Sequence, residues 1–298
     1  MNKLFFYLFS TTILFACGDV QTKAKEKVAE AVIDKVKDEV LKQIPALTAD
    51  QLKLLSQYEK LLQALPEPAC NDMFDKVTEG ANLAQTLALD MFGSSISSKE
   101  EMEIGKELFS SISKDFKIID QDSRRQDLIT MFHKMLPFRS RKDLDFNIHL
   151  IESPTINAFS IAGGHVHITT GLFENVQSKD ELAFIIGHEI AHIDKKHCIR
   201  KIQMLKTADS HFGNIGVMAA NLQLILTAPF GQADEYESDR VGAILAHKAG
   251  FDASKGNDFF IRLKKQEKNG LLERITRTHP YSAAREDCLN KFIKNGYQ

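Results

Sequence analysis

Gly187-His188-Glu189-Ile190-Ala191-His192 is an H-E-x-x-H sequence inside a strongly apolar run, and its reading decides the fold. Four residues advance an α-helix by about 400°, so His188 and His192 stack on one face at the spacing that clamps a single metal ion. Glu189 is turned by about 100° from His188, close enough to act on a water at the metal without being a ligand. Zinc suits such a site, because two imidazoles and one more protein ligand hold it while a fourth position stays open. The competing reading is an amphipathic helix whose two histidines sit in a polar seam. It leaves the carboxylates found downstream without a role.

The surroundings support a helix. Ser178 and Glu181 form a capping box ten residues before His188. His197, nine residues beyond His188, falls on roughly the opposite side of the same helix and reads as structural. Lys195 and Cys198 stand where the astacin-like extension of the motif requires glycine and histidine, which excludes that subclass. Downstream, Asp234-Glu235-Tyr236-Glu237-Ser238-Asp239 opens another helix. Glu235 and Asp239 share a face there and Glu237 points away. The longer Glu235 side chain is the expected third zinc ligand, and Asp239 the acceptor for a ligand histidine's second nitrogen. An acidic helix start favoured by the helix dipole gives the same sequence.

Outward from this centre, the chain has 298 residues, 43% of them apolar, with 38 basic against 40 acidic side chains. That balance offers no electrostatic footprint for nucleic acid. Residues 1–17 read as a lipoprotein signal: Lys3, an apolar run from Leu4 to Phe15, then Leu14-Phe15-Ala16-Cys17. Cys17 is the expected lipidation site, with ordinary signal cleavage or an uncleaved anchor as alternatives. Residues 18–95 read as a helical N-terminal region. It has apolar stripes over Val28–Ile44 and over Leu52, Leu55, Tyr58, Leu62 and Leu65, the second opened by Thr48 and Gln51, and a third helix over 71–92.

Residues 96–298 read as the catalytic domain, α+β and mainly helical with a small sheet. Ser98 with Glu101 and Ser123 with Gln126 are candidate capping boxes. Strands are expected at Phe146–Ile151 and Val166–Ile168, with Asn157, Ala158 and Phe159 opening an edge strand that an extended peptide could join. Phe212–Gly231 carries no charge, yet its asparagines, proline and glycines favour a buried helix or active-site flank over a membrane span. Among Cys70, Cys198 and Cys288, the pair Cys198–Cys288 is the favoured disulfide in an oxidising compartment, with three free thiols as the alternative.

The H-E-x-x-H helix, the E-x-x-S-D segment at Glu235–Asp239, Asn157-Ala158-Phe159, Gly163-Gly164, and Thr278-His279-Pro280 followed by Arg285 together resemble a known family. It is the HtpX and CAAX prenyl endopeptidase family of gluzincin metallopeptidases, including its periplasmic lipoprotein branch. The resemblance covers about residues 99–295, with Ser238 where alanine is usual. It implies a zincin-like fold holding one zinc ion, with His188, His192 and Glu235 as ligands and Glu189 as catalytic base. It also implies His279 near the metal, either as an oxyanion donor or as an occupant of the open position that keeps the enzyme latent. Arg285 would brace that loop through a carboxylate. The function expected from it is an endopeptidase that cuts unfolded or misassembled cell-envelope proteins, lipid-anchored and facing the periplasm. A chaperone or assembly factor with a latent zinc site, or a small-peptide hydrolase, are the alternatives.

Overall fold

The computed structural model describes residues 47–63, 96–209, 212, 214–266, 279 and 283–297. The expectations for residues 1–17 with Cys17, for 28–44, for Cys70, for 71–92 and for Thr278 and Pro280 lie outside these residues. The described helices are α1 (Ala49–Gln63), α2 (Ser98–Asp115), α3 (Ser123–Met135), α4 (Thr170–Asn175), α5 (Lys179–Asp194) and α6 (His197–Ala208). They continue with α7 (Ile215–Ala220), α8 (Leu222–Thr227), α9 (Gln232–Lys248), α10 (Lys255–Gln266) and α11 (Ala283–Lys294). The strands are β1 (Ile118–Ile119), β2 (Asn147–Ile151), β3 (Ala158–Ile161) and β4 (His165–Thr169). The fold is therefore α+β and mainly helical, with one small sheet.

Strand order is β1-β2-β4-β3, with β2 and β4 parallel and the outer pairs antiparallel, so β3 is an edge among the described residues. The β3–β4 hairpin turns through Gly163 and Gly164, both at positive φ (82° and 95°), a conformation glycine adopts without a Cβ penalty. One sheet face carries Ile148, Leu150, Ala158, Ser160, Val166 and Ile168, all buried, and meets α6 where Cys198 Sγ donates to Ser160 Oγ at 3.5 Å. The other face carries His149, Phe159, His165 and His167; Phe109 of α2 stacks on His149 and His165, and Phe159 stacks on His167. His149 Nε2 and His165 Nδ1 are 3.0 Å apart, and His167 is fully buried.

Local signals place most helix starts, with shifts of one residue. Thr48 and Gln51 close a capping box as expected, with Thr48 N donating to Gln51 Oε1 (2.9 Å) and Gln51 N to Thr48 Oγ1 (3.2 Å). Helix α2 is capped by Ser97 with Glu100, not by Ser98 with Glu101. Ser98 Oγ instead donates to Asp143, and Glu101 is buried against Arg141 at 2.8 Å. Helix α3 is capped by Asp122, which accepts from Arg124 N, one residue before the expected Ser123. In α1 the inner face is Leu54, Leu55 and Tyr58, while Leu52 is 52% exposed. Tyr58 donates its hydroxyl to Pro229 O at 2.7 Å, and this tie to the loop below selects that face.

The uncharged stretch Phe212–Gly231 is not one long helix. It breaks at Asn221 into α7 and α8, and no helix among the described residues is long and apolar enough to cross a membrane. The expected Cys198–Cys288 disulfide is also absent. Cys198 is a free thiol buried between α6 and β3, where burial pushes it up to about 12. Cys288 is disulfide-bonded to a partner outside the described residues.

Helices α5 and α9 make the most extensive helix pairing of the domain. They touch through Gly187 and Gly242: a Cβ at Gly242 would sit 2.6 Å from His188 N, and one at Gly187 would sit 2.6 Å from Gly242 O. Both obstacles are helix backbone, which cannot rotate away. Gly242→Ala is therefore expected to push the helices apart, at an overpacking cost of about 1–3 kcal/mol. A thermal melt together with zinc content should show both falling, and a variant with parental values for both would sink this account of the contact.

The histidine face yields a second expectation. Burial lowers His149 to about 3 and His165 to about 4, from 6.5 for each, the neighbouring imidazole adding to the shift of His149. Below pH 6.5 the unfolded chain takes up protons that the folded chain refuses, so stability is lost as pH falls toward 4. The slope is about 1.4 kcal/mol per pH unit for each such histidine. Denaturant melts at stepped pH should show this loss, with a shallower slope in His149→Phe; an unchanged slope in that variant would contradict it.

Candidate metal centre

Helix α5 is buried on nearly every side, from Glu181 to Asp194, as its all-round apolar sequence requires. Its start is set by Ser178 Oγ, which accepts from Glu181 N at 3.1 Å, and by Glu181 Oε2, which accepts from Gln177 N at 2.7 Å. Its end is pinned by Asp194, whose carboxylate accepts from Ser140 N (2.8 Å) and Arg141 N (2.7 Å). Within this fixed rod, His188 and His192 turn their Nε2 atoms toward one point, 3.0 Å apart. Glu235, in the first turn of α9, brings its carboxylate to 3.5 Å from His192 Nε2 and 3.6 Å from His188 Nε2. His279 Nδ1 completes the group, 3.3 Å from His188 Nε2 and 3.1 Å from Glu235 Oε1.

These spacings test the metal directly. Four ligand atoms about 2.0–2.1 Å from a tetrahedral zinc lie about 3.3 Å from one another. The separations that involve His188 Nε2 or the Glu235 carboxylate run from 3.0 to 3.6 Å, and all four side chains are buried. His188 Nε2 faces three other donor atoms, more than one lone pair or one hydrogen can satisfy, whereas a single cation at the centre satisfies all four. The donor set of three imidazoles and a carboxylate is one that zinc accepts.

The second ring around this group is equally ordered. Asp239, one turn beyond Glu235, sits 2.9 Å from His188 Nδ1. Arg285 of α11 donates Nε and Nη2 to the two Asp239 oxygens at 2.7 Å each, and its Nη1 lies 2.7 Å from Glu235 Oε2. Burial alone would raise Asp239, but the Arg285 guanidinium and the His188 contact outweigh it and bring the carboxyl down to about 2. Glu235 is lowered in the same way: burial opposes its charge, and His279 and Arg285 restore it. Glu189 is 2% exposed; its Oε1 is 3.4 Å from His279 Nε2, and its Oε2 is buried with no hydrogen-bond partner.

The structure thus gathers His188, Glu189, His192, Glu235, Asp239, His279 and Arg285 into one buried cluster. Ala158 and Phe159 lie on β3, with Asn157 just before it; β3 is an edge among the described residues, and α5 packs against it. Phe159 points to the opposite sheet face, onto His167.

Three residues of the cluster's wall were not among the expected ones. Phe230 lies flat on His192, with ring centroids 3.8 Å apart, and buried Lys201 places Nζ 3.9 Å from the Phe230 ring centre while donating to Ala228 O at 3.3 Å. His197 does not face away, because Lys196 adopts a left-handed conformation (φ 64°) that ends α5 and starts α6 in a new direction. Its ring returns to His192, Nδ1 to Nδ1 at 3.1 Å. A positive-φ lysine has no strong sequence signature; the single hint was a histidine just past the end of a motif helix.

Comparison with known proteins agrees with this geometry. The description Peptidase family M48 matches residues 122–292, more than half of the chain. A protein of Vibrio cholerae serotype O1 named putative beta-barrel assembly-enhancing protease is 27% identical over 219 residues, covering 67% of this chain and 43% of its own. The beta-barrel assembly-enhancing protease of Yersinia pestis is 25% identical over 239 residues, covering 72% and 49% respectively. The mitochondrial metalloendopeptidase OMA1 of Bos taurus is 27% identical over 172 residues, covering 51% and 33%. The chain spans half or less of the length of these relatives. The matched segment holds every donor of the buried cluster, and on that footing the chain belongs to peptidase family M48, whose members are zinc metalloproteases.

Proposed function

We propose that this protein is a zinc-dependent endopeptidase acting on unfolded or misassembled proteins of the cell envelope. The observation that carries the reading is the tetrahedron of His188, His192, Glu235 and His279 with an unpartnered Glu189 oxygen beside it. Zinc held there supplies Lewis acidity, bringing the pKa of a water to about 7 and polarising a peptide carbonyl. His188, His192 and Glu235 hold the ion, and Asp239 and Arg285 fix the orientation of His188 and Glu235. Glu189 Oε2 takes the proton of the attacking water and hands it to the leaving amide nitrogen. An extended substrate adds along the edge strand β3 at Asn157, Ala158 and Phe159, reading backbone rather than side chains. That mode suits unfolded chains, and the names of the bacterial relatives favour envelope clients rich in β-strands. Cys17 would tether the mature chain to a membrane facing the periplasm.

Replacing Glu189 with Gln removes the proton acceptor and keeps the shape. Zinc-dependent cleavage of casein by the full chain is expected to fall by about 100-fold or more, with zinc content unchanged. Parental cleavage by that variant would end the endopeptidase reading, and a zinc-loaded parent that cleaves nothing would favour a chaperone.

The position of His279 favours a latent form. Its Nδ1 takes the fourth vertex, where water or a peptide carbonyl must enter. His279→Ala is expected to raise casein turnover. A lower kcat with unchanged KM would assign His279 to transition-state stabilisation instead.

A further inference from the structure

Of the two histidines of the motif, His188 has the usual carboxylate behind it, and His192 does not. Behind His192 stands a second imidazole. His192 Nδ1 lies 3.1 Å from His197 Nδ1, the rings meet edge-on at 75°, and both side chains are completely buried. On its far side, His197 Nε2 lies 3.1 Å from Glu237 Oε2 and 3.6 Å from Asp234 Oδ1. Lys195 Nζ, 3.4 Å from Glu237 Oε1, and Arg200 Nη2, 2.7 Å from Asp234 Oδ1, close the outer end. Ser238 Oγ sits 3.1 Å from His197 Nδ1, beside the contact with His192.

We infer that His197 is a positioning residue for the metal, an outer imidazole that fixes the tautomer of His192 and passes its hydrogen bond on to Glu237. The inference rests on the reading of His192 as a zinc ligand. His192 offers Nε2 to the cluster, so its hydrogen resides on Nδ1 and points at His197 Nδ1. That nitrogen must then be bare, which puts the hydrogen of His197 on Nε2, facing Glu237. Each N–H in the chain finds one acceptor. The opposite tautomer of His197 would set N–H against N–H at 3.1 Å between two fully buried rings. Ser238 Oγ lies 3.1 Å from the same nitrogen, beside the His192 contact. The Glu237 carboxylate, 3.1 Å from His197 Nε2 and 3.4 Å from Lys195 Nζ, is the outer anchor of this chain.

A purely structural histidine would support folding and leave zinc affinity alone, so the test reads the metal. In the full chain, zinc dissociation constants are measured by chelator competition for the parent, His197→Leu and His197→Asn. Leucine offers no acceptor to His192 Nδ1, and its zinc affinity is expected to fall by about 10- to 100-fold, the usual effect of losing such a partner. Asparagine carries an oxygen near the position of Nδ1 and should stay close to the parent. Parental affinity in His197→Leu, or equal losses in both variants, would overturn the proposal. His192→Ala separates this from the ligand reading: it must lose zinc whatever His197 does, and a variant that keeps zinc would overturn both. Should the His197 variants fail to fold, nitrogen-15 NMR of the zinc-loaded parent decides. Hydrogen on His192 Nδ1 and His197 Nε2 supports the chain, and hydrogen on His197 Nδ1 overturns it.

Discussion

The domain depends on keeping two carboxylates ionised where water cannot reach them. Glu235 and Asp239 lie one helical turn apart on α9, fully or almost fully buried. A buried charge without partners costs several kcal/mol. Arg285 answers with three of its donors, two to Asp239 and one to Glu235, a fork that lysine could not reproduce. One guanidinium offsets one of the two negative charges. The other faces three imidazole nitrogens, and a divalent cation completes that field. The position of α11 is thus an electrostatic requirement of the site, since Arg285 must arrive from outside the two helices that carry the ligands.

Geometry imposes the companion constraint. Donor atoms from α5 and α9 can meet at separations near 3.3 Å only if the two helix backbones come into contact, and Gly187 and Gly242 allow that contact by omitting both side chains. Gly187 immediately precedes the first motif histidine, so the closest approach of the helices falls beside the metal position. The sheet contributes less directly. It backs α5 and α6, and among the described residues it leaves β3 as an edge strand against which α5 packs.

What the sequence revealed, and what it concealed, follows from the range over which each signal acts. The spacing of His188 and His192, the cap at Ser178 and the pairing of Glu235 with Asp239 are properties of single helices, and all three hold in the structure. The α2 cap was ambiguous because Ser97-Ser98-Lys99-Glu100-Glu101 offers two overlapping boxes; Asp143 and Arg141, distant in sequence, claimed the members of the second. The α1 stripe holds at Leu55, Tyr58 and Leu62, while Leu52 is exposed and Leu54 is buried in its place. The Cys198–Cys288 pairing failed for a similar reason, since Cys198 is committed to the seam between α6 and β3. His197 was misplaced by extending helical phase through Lys196, where the backbone leaves the helix.

That last error touches the chemistry, because it hides an asymmetry between the two motif histidines. His188 Nδ1 lies 2.9 Å from a carboxylate that Arg285 holds ionised. His192 is backed by the His197 imidazole, with the Glu237 carboxylate one ring further out. Phe230 covers the face of His192, and Lys201 Nζ lies over the Phe230 ring. The two imidazoles are alike in sequence and unlike in what stands behind them. A metal held there would meet one imidazole with a carboxylate directly behind it and another whose carboxylate stands one ring further out. The backing of His192 would then act through a longer hydrogen-bonded path than that of His188, so the two motif histidines would be positioned by different means.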